Sequence, residues 1–275
     1  MKNLLGVIQG RLLPKYKGRY QAHPVGYWED EFYIAKELNL DCIEFILDYN
    51  NISQNPLLNS DEFEKLQKVT LETGVIVKTI CADYFMDAPL HSKNNAVSAT
   101  SMKILKMLLK TSTKLGVSDI VIPCVDNSSL KNFEDVDRFV NQIKKVESEI
   151  TERGINLSLE TDLDPKRFLN LLNRIDSDRV TVNYDIGNSA SLGFDPIEEL
   201  DAYGERITDI HIKDRKMNNG PVMLGDGNAD FKIFFDKLKE FNYQGPFIMQ
   251  AYRDEEGVEV FKKQLDWVKE YLNKT

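Results

Sequence analysis

The sequence predicts an α/β fold, a single (β/α)8 TIM barrel over residues 1–275. Three observations carry that prediction. Eight short apolar runs alternate with eight longer amphipathic stretches. The 275 residues divide into units of about 34, the size of one strand–helix repeat in such a barrel. The first strand runs into Gln9-Gly10-Arg11-Leu12, without the GxGxxG turn that announces a doubly wound open sheet.

The predicted strands span residues 4–8, 42–46, 75–80, 119–122, 155–159, 180–184, 207–212 and 246–249. Each is too short for a helix and too continuously apolar for a strand with one wet face, as expected of a parallel sheet buried on both sides. The predicted helices span 29–38, 61–73, 96–115, 132–153, 165–174, 196–203, 231–241 and 258–273. Ser60 before Asp61-Glu62, and Asp164 before Pro165, are start signals through capping and proline in the first turn. Gly74 and Gly116 end the second and third helices. The longest loops, residues 10–27 and 82–95, are expected to lie over the active face. No linker or low-complexity tract divides the chain.

Composition narrows the function. Lys and Arg number 35 against 44 Asp and Glu, a net charge of −9, which disfavours nucleic acid and anionic membranes. No apolar run approaches the ~18 residues of a membrane span, and the N-terminal run is too short for a signal peptide. A soluble, cytoplasmic protein is expected. Cys42, Cys81 and Cys124 lie in or beside apolar runs without CxxC spacing and are read as reduced core thiols. His23 and His91 fall in loops and are expected at the surface or as caps.

Barrel enzymes take their catalytic groups from the C-terminal ends of strands and the loops that follow. Read in order, those ends give Gln9 and Arg11, Glu44 and Asp48, Cys81 and Asp83, Asp126, Glu160 and Asp162, Asp185, His211 with Lys213 and Asp214, and Gln250 with Arg253. A lone carboxylate after a strand means little. Glu160, Asp185 and His211, each closing a buried strand in succession, form a donor set suited to one Mn²⁺, Zn²⁺, Co²⁺ or Mg²⁺. Gly187, Gly225 and Gly227 read as requirements of tight loops, and no Lys-Ser/Thr follows them, which excludes a P-loop.

The chain resembles the xylose-isomerase-like superfamily of sugar-phosphate isomerases and epimerases, in its L-ribulose-5-phosphate 3-epimerase and hexulose-6-phosphate isomerase-like branch. The motifs are Tyr184-Asp185-Ile186-Gly187-Asn188, Asp209-Ile210-His211-Ile212-Lys213-Asp214-Arg215, Gly225-Asp226-Gly227-Asn228-Ala229-Asp230-Phe231 and Tyr243-Gln244-Gly245-Pro246-Phe247. Weaker echoes are Trp28-Glu29, Ala35-Lys36-Glu37-Leu38 before Ile43-Glu44, and Pro89-Leu90-His91-Ser92.

The resemblance implies a carbohydrate substrate, a divalent ion on Glu160, Asp185 and His211, and a fourth acidic ligand from the last strand. It further implies two glutamates exchanging the carbon-bound proton through a cis-enediolate. The last-strand position here is Gln250. An amide oxygen can ligate a metal but cannot take a proton at neutral pH. Glu160 is then the base, with Asp83 the preferred second one and Asp126, Glu44 and Lys213 the other candidates. One-base isomerisation, a one-base dehydratase or lyase, and a sugar-binding barrel that has lost turnover all stay open.

The loop after the third strand reads Asp83-Tyr84-Phe85-Met86-Asp87, where the branch carries basic residues. A phosphate would fall to Arg11, Arg215 and Arg253, with His91 or Ser92; a neutral or an acidic sugar is the alternative. The substrate-facing set is Arg11, Glu44, Tyr84, Lys213, Arg215 and Arg253, with Trp28, Phe85 and Tyr252 as further stacking candidates. Lys213 is expected either to donate to a substrate oxygen or to pair with Asp214. An abasic-site endonuclease would need a His-rich site and a basic groove, which three His and the negative charge oppose. Barrels of this class associate, so a homo-oligomer is an open expectation.

Overall fold

In the computed structural model, which describes residues 3–274, the apolar runs become eight parallel strands closed into a barrel. They are β1 (Leu5–Ile8), β2 (Cys42–Ile46), β3 (Ile76–Cys81), β4 (Asp119–Cys124), β5 (Asn156–Thr161), β6 (Val180–Asp185), β7 (Ile207–Ile212) and β10 (Phe247–Met249). Each pairs with its sequence neighbour, and β10 closes on β1 with Gly6 opposite Ile248. A two-stranded hairpin, β8 (Asp214–Arg215) with β9 (Pro221–Val222), rises from the end of β7.

The helices wrap the outside: α1 (Asp30–Glu37), α2 (Ser60–Thr73), α3 (Tyr84–Asp87), α4 (Asn95–Leu115), α5 (Phe133–Lys144), α6 (Glu147–Arg153), α7 (Pro165–Ile175), α8 (Ile186–Leu192), α9 (Pro196–Tyr203), α10 (Phe231–Leu238) and α11 (Val258–Lys274). Side-chain caps start most of them. Asn59 accepts from the backbone N–H of Asp61 and Glu62, so the cap of α2 is Asn59 and not Ser60. Asp164 caps α7 as expected, accepting from Arg167 N at 3.0 Å. Gly74 and Gly116 end α2 and α4 in left-handed conformation.

Two parts of the helix prediction change. The stretch 132–153 is two helices, broken at Lys145-Val146 where Val146 turns inward and is fully buried. Two short helices, α3 and α8, sit directly after β3 and β6, in segments read as loop. Among the described residues, no helix is long and apolar enough to cross a membrane.

Side chains alternate between the outer helical shell and the barrel interior. The outward set (Val7, Ile43, Phe45, Ile80, Leu157, Leu159, Ile210) joins the main core beneath the helices, each buried Leu, Ile or Phe contributing roughly 1.5–3 kcal/mol. The interior is uneven. Ile8, Cys42, Ile46, Cys81, Val121 and Ile248 form a small apolar plug on the side of β1–β4 and β10. The same interior register on β5–β7 carries Ser158, Glu160, Thr181, Asn183, Asp185, Asp209 and His211, all buried. Three free thiols, all buried, agree with the reading of core cysteines.

The loops after β1 and β10 are laced together at the C-terminal ends of the strands. Glu31 on α1 accepts from Gly10 N at 2.7 Å and Leu12 N at 3.0 Å. Arg253 donates to the carbonyls of Gly10 and Leu13, and Arg11 donates to those of Ala251 and Tyr20. Burial raises the Glu31 carboxyl to about 7 despite these donors.

Candidate metal and substrate site

A cavity of about 380 Å³ opens at the C-terminal ends of the strands. Its wall includes Gln21, Asp83, Met86, Asp126, Glu160, Asp162, Asn188, Lys213, Arg215 and Gln250. A larger groove, about 530 Å³, lies outside between α2 and α4, but its ionisable residues Glu64, Lys110 and Lys114 are all exposed. The smaller cavity is the one with buried, perturbed chemistry.

The ends of β5, β6 and β7 deliver Glu160, Asp185 and His211, the first and last of them one residue short of the strand's final position. Their ligand atoms lie within 4.8 Å of one another, and all three residues are buried. Asp185 caps α8, accepting from Asn188 N at 2.8 Å, which fixes one oxygen. Asn188 reaches back from α8, its Nδ2 donating to Glu160 Oε1 at 2.6 Å. Burial, then the neighbouring Asp185, pushes the Glu160 carboxyl up to about 7, with His211 and Lys213 pulling the other way.

Lys213 donates to three acceptors: Gln250 Oε1 at 2.9 Å, Asp185 Oδ2 at 3.1 Å and Asn188 Oδ1 at 3.1 Å. Its pairing is therefore with Asp185, not with the adjacent Asp214. Gly187 makes room for its stem, because a Cβ there would come within 2.7 Å of Lys213 Cγ. Asp214 turns the other way and accepts from the backbone N–H groups of Gly225, Gly227 and Ala229. A Cβ at Gly227 would sit 2.0 Å from Asp214 Oδ1, so this tight loop needs glycine as expected.

Below this level the imidazole of His211 meets a second, sealed cluster. Glu44 Oε1 lies 2.8 Å from His211 Nε2, and Asp209 Oδ2 lies 4.0 Å from it. Thr79 Oγ1 donates to the other Glu44 oxygen at 2.8 Å. Burial raises Glu44 to about 7, and burial together with Glu44 holds Asp209 well above the carboxylate range. Both oxygens of Asp209, both ring nitrogens of His211 and the amide of Asn183 are buried without a hydrogen-bond partner.

The remaining expected site residues separate into two groups. Asp83 lines the cavity, where Gln21 Nε2 donates to it at 2.8 Å and Cys81 Sγ at 3.1 Å, and burial raises its carboxyl. Arg215 also lines it, with Nη1 2.8 Å from Asn188 Oδ1 and Nε on the Asn219 carbonyl. Glu44 and Tyr84 are not in the wall. Glu44 is the sealed partner of His211, and Tyr84 is packed against Tyr49 and Phe85. Arg11 and Arg253 are buried and committed to backbone carbonyls. Trp28 is buried against Phe32 and Phe45.

His23 and His91 are buried, not superficial, and burial lowers both to about 4. His23 Nδ1 lies 3.1 Å from Gln9 Oε1, and His91 packs edge-on to Phe139. Sequence reasoning assigned no role to Asn188 or Gln21. Asn188 carried a signal, since Asp-x-x-Asn at a helix start places the fourth side chain back over the cap. Gln21, which joins Asp83, Arg11 and Gln250, sits in an irregular loop without such a pattern.

The fold and site together define an eight-stranded parallel barrel whose strand ends bring together acidic and imidazole groups that could hold a metal ion. Residues 32–271 match the family model described as xylose isomerase-like TIM barrel. The chain belongs to that family. It is 26% identical over 271 residues to L-ribulose-5-phosphate 3-epimerase UlaE of Shigella flexneri serotype 5b (strain 8401), covering 92% of this chain and 93% of the relative. Among solved structures it resembles 3-keto-D-glucoside 4-epimerase YcjR from E. coli in its apo form, with TM-score 0.75, 18% identity, and 98% and 100% of the two chains covered. It also resembles the IOLI protein with a bound zinc atom, with TM-score 0.76, 15% identity, and 98% and 97% covered. At these identities the structural likeness establishes the fold.

Proposed function

We propose that this chain is a sugar isomerase or epimerase working with one divalent ion, Mn²⁺, Zn²⁺, Co²⁺ or Mg²⁺, on Glu160, Asp185 and His211. The convergence of these three donors within 4.8 Å, in and beneath the wall of the cavity, carries the reading. Two carboxylates and an imidazole suit such an ion. The His211 Nδ1 atom supports the fit: it lacks a hydrogen-bond partner and lies 3.9 Å from Asp185 Oδ2. Gln250 is the fourth ligand, through its amide oxygen, a role that requires the Lys213 ammonium to leave Gln250 Oε1. The epimerase names of the relatives support a sugar as substrate.

When bound, the ion supplies Lewis-acid charge beside the sugar's carbonyl and hydroxyl oxygens. The proton chemistry belongs to the chain. Glu160 takes the proton from the carbon next to the carbonyl and returns it, the role of a positioned carboxylate. Asn188 Nδ2 orients it through Oε1. Asp83, across the same cavity and also raised by burial, is the second acid–base group for inversion at carbon.

Titration of Mn²⁺ into chelator-treated protein is expected to reveal one site, lost in His211→Ala; a wild-type protein without a site would sink the metal assignment. A second reading rests on Gln250, an amide that cannot act as the opposing base: a one-base dehydratase on the same residues. Product analysis by NMR in D₂O separates the two. Deuterium entering C2 or C3 without loss of water supports isomerase or epimerase chemistry, and loss of water supports the dehydratase.

A further inference from the structure

We infer that the cavity takes an unphosphorylated sugar, an inference that rests on the isomerase or epimerase reading of that site. A phosphate monoester needs donors it can claim, and four cations stand near enough to be considered. Lys213 makes three bonds, to Gln250, Asp185 and Asn188, and leaving Gln250 for a bound ion would free a single N–H. Arg215 spends Nη1 on Asn188 Oδ1 and Nε on the Asn219 carbonyl, which takes the Nε end of its Nε–Nη2 fork and leaves Nη2 as the end open to an anion. Arg11 is buried, with Nε, Nη1 and Nη2 bound to Ala251 O, Tyr20 O and Gln21 Oε1. Arg253 is buried on the carbonyls of Gly10, Leu13, Asp254 and Glu255.

The backbone sites for an anion are filled as well. Three N–H groups of the 225–229 loop converge as an anion nest would, and the Asp214 carboxylate occupies it. The start of α8 is capped by Asp185. Meanwhile the wall presents four carboxyl groups, Asp83, Asp126, Glu160 and Asp162, to whatever enters. Carboxylates left outside a bound ion repel a dianion, and all four groups accept hydrogen bonds from hydroxyls, which is what a free sugar offers in quantity. The volume, about 380 Å³, is at the small end for a small-molecule site.

The test compares free ketoses (D-ribulose, D-xylulose, D-fructose, D-tagatose) with the terminal phosphates of the same sugars. Mn²⁺-loaded wild-type protein is assayed for deuterium exchange at carbon, and binding is measured by calorimetry on Glu160→Gln. The expected result is a preference of at least about tenfold for a free sugar over its phosphate, with no competition from inorganic phosphate. A preference of that size for the phosphate overturns the inference while leaving the proposed reaction intact. Free sugar bound tightly without exchange supports the inference and overturns the reaction. Neither binding nor exchange for any member of the panel overturns both.

Discussion

The two ring nitrogens of His211 face two acidic clusters of opposite character. On the Nδ1 side, Asp185 and Glu160 stand at the cavity, and their oxygens are held by Asn188 and Lys213, partners that can be exchanged for a ligand. On the Nε2 side, Glu44 and Asp209 are fully buried, with Glu44 2.8 Å from the ring and both Asp209 oxygens without a hydrogen-bond partner. The same residue types do different work because one side opens to the cavity and the other is closed by the apolar plug. The open side is reachable by a ligand, whereas the sealed side packs against the imidazole.

The largest effect is expected on the open side. Glu160→Gln should lower carbon–hydrogen exchange by about 10²–10⁴-fold, the usual contribution of a positioned base, while calorimetry still registers Mn²⁺ binding. Loss of metal along with activity would instead make Glu160 chiefly a ligand.

Glu31 sharpens the comparison as a sealed carboxyl that does have partners, the N–H groups of Gly10 and Leu12. Its folded-state value near 7 exceeds the ordinary 4.5, so the folded protein holds this proton longer than the unfolded chain. Its contribution is complete below pH 4.5 and is lost as pH rises through 7. Wild-type stability relative to Glu31→Gln should therefore fall by up to about 3 kcal/mol between pH 5 and 8 in denaturant titrations. A constant difference would contradict the assignment.

Breaking the sealed side should be milder than removing the base. Glu44→Gln removes the carboxylate behind the imidazole, and metal affinity should drop by about 10–100-fold with the fold retained by circular dichroism. Unchanged affinity would mean that the lower cluster does not orient His211. The smallest effect is expected from Lys213→Met. Removing a cation that contacts both Asp185 and Gln250 should tighten Mn²⁺ binding by ~10-fold, and weaker binding would show that Lys213 helps to hold the site together.

Much of this was legible in the order of residues. Buried parallel strands announce themselves as continuous apolar runs, so all eight barrel strands and the donors Glu160, Asp185 and His211 at and near their ends could be read. What escaped depends on direction, which sequence does not state. Glu44 and Glu160 both lie on strands, but Glu44 sits a level deeper, beside Cys42 and Ile46, and so meets His211 rather than substrate. Arg11 and Arg253 look like anion binders until the loops after β1 and β10 meet and their carbonyls claim both guanidinium groups. The break at Val146 carries no proline or glycine; it follows from the burial of one side chain. His23 and His91 lie in loops yet are buried, because each ring packs on aromatic side chains, Trp28 and Phe45 for His23 and Phe139 for His91.

The central claim is that Glu160, beside a divalent ion on the open side of His211, moves a carbon-bound proton of a sugar. Deuterium exchange into a ketose in D₂O, compared between Mn²⁺-loaded wild type and Mn²⁺-loaded Glu160→Gln, tests it most directly. The account predicts exchange at C2 or C3 in the wild type and its near-complete loss in the variant. Exchange that persists undiminished in the metal-loaded variant would contradict it.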